Sequence, residues 1–246
     1  MGDDRPTGVR LTRLIADPAH GPLPALMLVL TVLTGVVDAV SILSLGRVFV
    51  ANMTGNVVFV GFAVAGASGF SLSASISALA GFLGGAALGG VAVGRLGSHR
   101  GRLLTAVAAT ELVLVMLALL ITALAGANLS TGEKVTIAAL LALAMGVQNA
   151  AVRDLKVFDL TTTVLTMTLT GIAADYRQRD RFAITRRLLA VSAMFAGAAV
   201  GAVLVLEVSN TAALGLAALL LITATAATAA TASRTGATWH ARKDSQ

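Results

Sequence analysis

The run LPALMLVLTVLTGVVDAVSILSL, residues 23–45, decides the fold. It carries one charged group, Asp38, among aliphatic and small side chains. A helix rises about 1.5 Å per residue, so a run of this length crosses a hydrocarbon core of about 30 Å. Five more stretches have the same character: 74–96, 103–126, 135–152, 188–207 and 212–232. Two others, 48–66 and 156–174, begin polar and only then turn apolar, and length alone leaves their crossing open.

The remainder of the 246-residue chain agrees with that start. It is 57% hydrophobic and 12% charged, with a mean hydropathy of +0.87. Soluble domains carry about 25% charged residues, so this chain cannot cover a globular surface with solvated groups, whereas lipid can cover it. The predicted class is an all-α transmembrane protein with about six spanning helices and two re-entrant or broken segments. The expected organisation is a cytoplasmic segment 1–22, one polytopic domain 23–232 and a cytoplasmic tail 233–246. The apolar run at 23–45 is too long for the core of a secretory signal and reads as an uncleaved first helix.

Several function classes drop out. There is no cysteine, and His20, His99 and His240 all lie outside the apolar runs. Thiolate sites, histidine sites within the membrane and a serine–histidine intramembrane protease are thereby excluded. No phosphate-cradling GxxxxGK[ST] loop and no HExxH occur. No cofactor, no metal and no enzymatic activity are expected. The net charge of +6 sits between apolar segments, where bases orient helices, so nucleic acid is not an expected partner.

The chain repeats itself. GVVDAV from Gly35 matches GVQNAA from Gly146, RVFVANMT from Arg47 matches KVFDLTTT from Lys156, and GAALGGV from Gly85 matches GAAVGAV from Gly197. The three matches keep one order at nearly one offset and define repeats over about 25–126 and 135–232. Lys and Arg concentrate in short cytoplasmic loops. With six crossings and the N-terminus inside, only Arg47 and Lys134 of the 18 bases fall outside. With eight crossings, 6 of them do. Six crossings place three between the repeats, so the halves are predicted to be inverted, a plan common in transporters.

The strings GVVDAVSILSLGRVFVANMTGNVVFVG (35–61) and MGVQNAAVRDLKVFDLTTTVLTMTLTGIAAD (145–175) resemble the signature regions of the YoaK-like family of bacterial membrane proteins. The likeness covers about 25–230. The resemblance implies a bacterial integral membrane protein and brings no catalytic residue with it.

Candidate site residues follow from charge and polarity in apolar surroundings. Asp38 lies deep in the first helix, where carboxylates usually face a cavity or a partner, and Asn149 is its repeat mate. Glu111, in the stretch 103–126, is the second possible coupling carboxylate. Asn52, Thr54 and Asn56, with Thr161 and Thr163 in the second half, should cap half-helices whose N–H groups attract polar or anionic solute atoms. Gly81, Gly85 and Gly89, with Gly197 and Gly201, have the spacing that lets helices approach closely, either on each other or on a dimer face. Arg47 and Lys156 sit as matched interfacial bases, and the loop of Asp175 to Arg181 is expected to be a solvated cytoplasmic loop.

The expectation is a multi-pass protein of the bacterial plasma membrane, both termini cytoplasmic. It would be a small secondary transporter or channel-like permease for a small polar or anionic solute. Its path would be lined by Asp38, Asn52, Thr54, Asn56, Asn149, Thr161 and Thr163, and one half would rock against the other. The alternatives are a membrane scaffold or regulator using the cytoplasmic loop at 175–187, or, further off, an intramembrane enzyme built on Asp38 and Glu111. Lipid, an unknown solute and a possible second copy of the chain are the expected partners.

Overall fold

A computed structural model describes residues 21–126, 128–155, 169–171 and 181–232. Its principal helices are α1 (Leu23–Ser44), α2 (Met53–Val64), α3 (Leu72–Leu96), α4 (Arg100–Ala125), α5 (Thr131–Leu155), α6 (Arg181–Val203, ending in a π-turn at Leu204–Val208) and α7 (Asn210–Ala232). The described residues contain no strand. All but α2 are long and apolar enough to cross a membrane, which makes six. At 12 residues, α2 is only about 18 Å long by helix rise, well short of a bilayer core.

From α3 to α7 each helix starts two to seven residues before the apolar stretch that predicts it. The stretch 135–152 is only the middle of α5, because Ser130 and Glu133 form a reciprocal cap ahead of it. Glu133 Oε2 accepts from Ser130 N at 2.7 Å, and Glu133 N donates to Ser130 Oγ at 3.3 Å. This satisfies N–H groups that a helix start leaves orphaned. Elsewhere Ser71 Oγ accepts from Ala74 N to start α3, and His99 Nδ1 accepts from Arg102 N to start α4. Large apolar side chains point outward along these helices, with Leu83 67%, Leu124 80% and Phe195 74% exposed. In water such a surface would aggregate, so it is a surface for lipid.

The closest helix pairs are α3 with α5, α1 with α6, and α4 with α7. Glycine makes the first two possible. A Cβ on Gly81 would lie 2.6 Å from Ala139 O, and one on Gly89 would lie 2.8 Å from Val147 O. One on Gly85 would collide with Leu143 O. On the other side of the molecule, a Cβ on Gly197 would collide with Val32 O, and one on Gly201 would lie 2.9 Å from Val36 Cα. The reciprocal glycines behave alike. Gly35 of α1 faces Met194 and Ala198, and Gly146 of α5 faces Phe82 and Ala86. The contacts of Gly85 and Gly89 on α5 reappear in those of Gly197 and Gly201 on α1, and those of Gly146 in those of Gly35, shifted by 111 or 112 positions. The two glycine rows therefore do serve helix packing, but within the chain, and against α5 and α1 rather than against each other.

Candidate functional site

The first helix ends because Gly46 and Arg47 both take positive φ, 96° and 55°. Arg47 is the only residue other than glycine to do so among the described residues, in a region costing an L-residue roughly 1–2 kcal/mol. From there the chain turns back into the protein as an irregular strand of backbone, with Val48, Val50 and Ala51 buried. Non-helical backbone buried inside a protein persists only where its polar groups find partners.

Side chains supply that satisfaction here. Three consecutive amides are taken by side-chain oxygens. Phe49 N donates to Asn56 Oδ1 at 2.8 Å, while Val50 N and Ala51 N donate to Asp38 Oδ1 at 3.2 and 3.3 Å. Asn56 closes the pair by donating from Nδ2 to Phe49 O at 2.6 Å. Asp38 reaches the break because it sits near the end of α1, and Asn56 because it lies in the first turn of α2. Phe49 then stacks on Phe59 with ring centroids 5.6 Å apart, Phe59 meets Phe70 at 5.0 Å, and the Arg47 guanidinium lies 5.9 Å over Phe70. A Cβ on Gly55 would lie 2.5 Å from the Phe49 ring, so a glycine lets α2 seat against the break.

One turn back from Asp38, α1 meets α5. Thr34 Oγ1 donates to Leu30 O at 2.8 Å and accepts from Gln148 Nε2 at 3.3 Å, with Met145 Sδ 4.0 Å away. Gln148 Oε1 is buried and has no hydrogen-bond partner among the described residues. Two sets of polar contacts thus lie one turn apart on α1, Gln148 on Thr34 and the broken segment on Asp38. The end of α1 is also tied to the start of α7, where Ser44 Oγ donates to Asn210 Oδ1 at 2.6 Å.

The predicted residues divide accordingly. Asp38 and Asn56 belong to this site as buried hydrogen-bonding groups. Asn149 lies beside Gln148 and donates to Met145 O of its own helix at 2.8 Å. Asn52 does stand at the N-cap of α2, but its side chain makes no cap bond, and both it and Thr54 are exposed. Thr161, Thr163, Lys156 and the segment 175–180 lie outside the described residues. Glu111 is fully buried on α4, and no contact joins it to Asp38. Two residues of the site escape a reading by charge. Thr34 looks like an apolar-tolerant helix residue, because it satisfies itself on the preceding turn. Gln148 carries the one detectable signal, an amide in the middle of an apolar run.

Asn56 offers a direct check on this local account. Asn56→Ala leaves both polar groups of Phe49 without partners, at about 1–3 kcal/mol each. A fall in stability of about 2–6 kcal/mol is expected, read by detergent-denaturant titration in mixed micelles. A variant unchanged within about 0.5 kcal/mol, the range of neutral surface changes, would mean that the break is held by other contacts.

Comparison with known proteins agrees with this architecture. Residues 26–227 match the family model described as "Protein of unknown function (DUF1275)". The chain is 30% identical over 154 residues to the "UPF0700 transmembrane protein YoaK" of Bacillus subtilis (strain 168), which covers 63% of this chain and 67% of that protein. No solved structure matches. With six apolar helices of crossing length and a transmembrane relative, the chain is a multi-pass membrane protein, and it belongs to the DUF1275 family.

Proposed function

We propose that the protein is a small permease of the bacterial plasma membrane. It would carry small neutral or cationic polar solutes past the crossing of α1 and α5. The observation that supports this most is the broken segment 46–52, folded back onto α1 and held on Asp38, one turn from the contact of Thr34 with Gln148. Broken elements near the midplane, at the junction of two inverted halves, are where secondary transporters bind their solutes.

The inverted arrangement is part of the proposal. Supporting it are the constant shift of 111 or 112 between matched glycine contacts and the Thr34–Met145 approach, which joins two positions themselves 111 apart. A residue that touches its own repeat mate lies on the axis relating the halves. In this reading α2 is re-entrant, the segment 156–174 is its counterpart, and both termini are cytoplasmic.

Two features refine the solute and the motion. An anionic solute would need the amides of the break, and Asp38 already accepts from two of them. The site therefore suits a neutral or cationic solute better than an anion. The tightest backbone contacts tie α1 to α6 and α3 to α5, across the halves. A half moving alone would break both sets, so the moving bodies are the cross-paired helices, sliding past α4 and α7.

The test is flux in liposomes of bacterial lipid containing the purified protein, with urea, glycerol and choline as probes. Flux of one of them at least about tenfold above empty vesicles, reduced by Asp38→Asn, is the expected result; tenfold corresponds to about 1.4 kcal/mol in a barrier. Vesicles no leakier than empty ones to all three probes would count against a permease of this solute class.

A further inference from the structure

Glu111 stands apart from the site above. It lies in the middle of α4, with no solvent exposure, and neither carboxylate oxygen has a hydrogen-bond partner among the described residues. Among the described residues no counter-charge faces it. The helices packed closely on α4 are α5 and α7. Helix α7 contains no titratable residue, and those of α5 (Glu133, Lys134, Arg153 and Asp154) fall in its first or last turn. Helix α3, in lesser contact, contributes only Arg95 in its last turn. On α4 itself the nearest are Arg100 and Arg102. Arg102 is nine residues from Glu111, about 13 Å along a helix and beyond the reach of an ion pair.

A lone carboxylate in such a place is among the costliest groups a membrane protein can hold. Among the described residues nothing balances its charge, which leaves that role to a bound cation. On α7, a helix packed on α4, Thr225 Oγ1 is likewise buried without a hydrogen-bond partner among the described residues. We propose that Glu111 is the binding site of a small monovalent cation, a proton or Na⁺, held in this closed arrangement of α4 and α7 and released when they part. Its helix α4 packs on α5 and α7 without the glycine–backbone contacts that seal α3 to α5 and α1 to α6. Cation release and helix separation would thus be linked there. The proposal concerns occupancy of the purified protein and stands whether or not the permease reading does.

The experiment uses dicyclohexylcarbodiimide, an apolar reagent that adds to a protonated carboxyl in an apolar setting. Adducts on full-length protein in detergent are located by peptide mass spectrometry. The pH is varied in one series, and NaCl is exchanged for choline chloride at constant pH in the other. If the cation is a proton, the Glu111 adduct falls with rising pH by about tenfold per unit past the midpoint and ignores sodium. If it is Na⁺, sodium suppresses the adduct severalfold at one pH. Glu111→Gln loses the adduct while the protein still elutes as wild type. Absence of a Glu111 adduct at every pH, or a yield flat in both series, overturns the proposal.

Discussion

Valine in place of Gly85 or Gly197 is expected to destabilise the protein by about 3 kcal/mol, at the upper end of the usual cost of overpacking. At both positions a Cβ would strike a backbone carbonyl, Leu143 O in one case and Val32 O in the other. A carbonyl in a helix cannot swing aside as a side chain can, so the helices must separate. Separation forfeits the close contact that holds apolar helices together in lipid, where burial from water no longer drives association. The same helix supplies its own control. Gly84 and Gly90 of α3 have no atom within 4 Å of where a Cβ would stand, and valine there should change stability by no more than about 0.5 kcal/mol. Titration from dodecyl maltoside into sodium dodecyl sulfate, followed by circular dichroism, reads all four variants. Equal losses at Gly84 and Gly85 would show that propensity rather than approach decides the outcome.

Asp38 should separate structure from function. Asp38→Ala leaves Val50 N and Ala51 N buried without an acceptor, a loss of about 2–6 kcal/mol at about 1–3 kcal/mol for each orphaned amide. Asp38→Asn keeps an oxygen in the same place and should stay within about 1 kcal/mol of wild type, the net worth of one ordinary hydrogen bond. Flux should nonetheless fall at least about tenfold in the Asn variant, if the negative charge meets the solute; that is about 1.4 kcal/mol of barrier. An Asn variant that is both stable and fully active would reduce Asp38 to a cap for the broken segment. An Ala variant as stable as wild type would remove even that role.

The architecture was legible in the sequence because a membrane simplifies the reading. Runs of apolar residues had to be helices, and six of them are. Within 48–66, the stretch that the distribution of bases sets apart from the crossings, the helix α2 is 12 residues long. Helix ends were harder to see. The Ser130–Glu133 cap lies in a polar loop, where hydropathy is silent, although the S-x-x-E spacing was there to be read. At the site, Asp38 stood out as an acid in an apolar helix, but its acceptor role could not be foreseen, since it depends on the chain folding back at Gly46 and Arg47. Asn52 and Thr54 show the opposite failure. Their types and positions fit capping, yet it is Asn56 that pins the break, because the fold-back brings Phe49 rather than solvent alongside it. The glycine spacing announced close packing without naming the partner, which depends on how the halves interleave.

The most direct test of the central claim, six crossings with oppositely oriented halves, is single-cysteine labelling from outside intact cells. The absence of native cysteine leaves no background. Ser68, Ser98 and Asn128 are exposed residues in the turns between α2 and α3, α3 and α4, and α4 and α5. Replaced one at a time by cysteine, positions 68 and 128 should react with an impermeant maleimide, and position 98 only after the membrane is opened. Labelling of position 98 in intact cells, with 68 or 128 protected, would contradict the topology, and with it the inverted halves on which the permease reading depends.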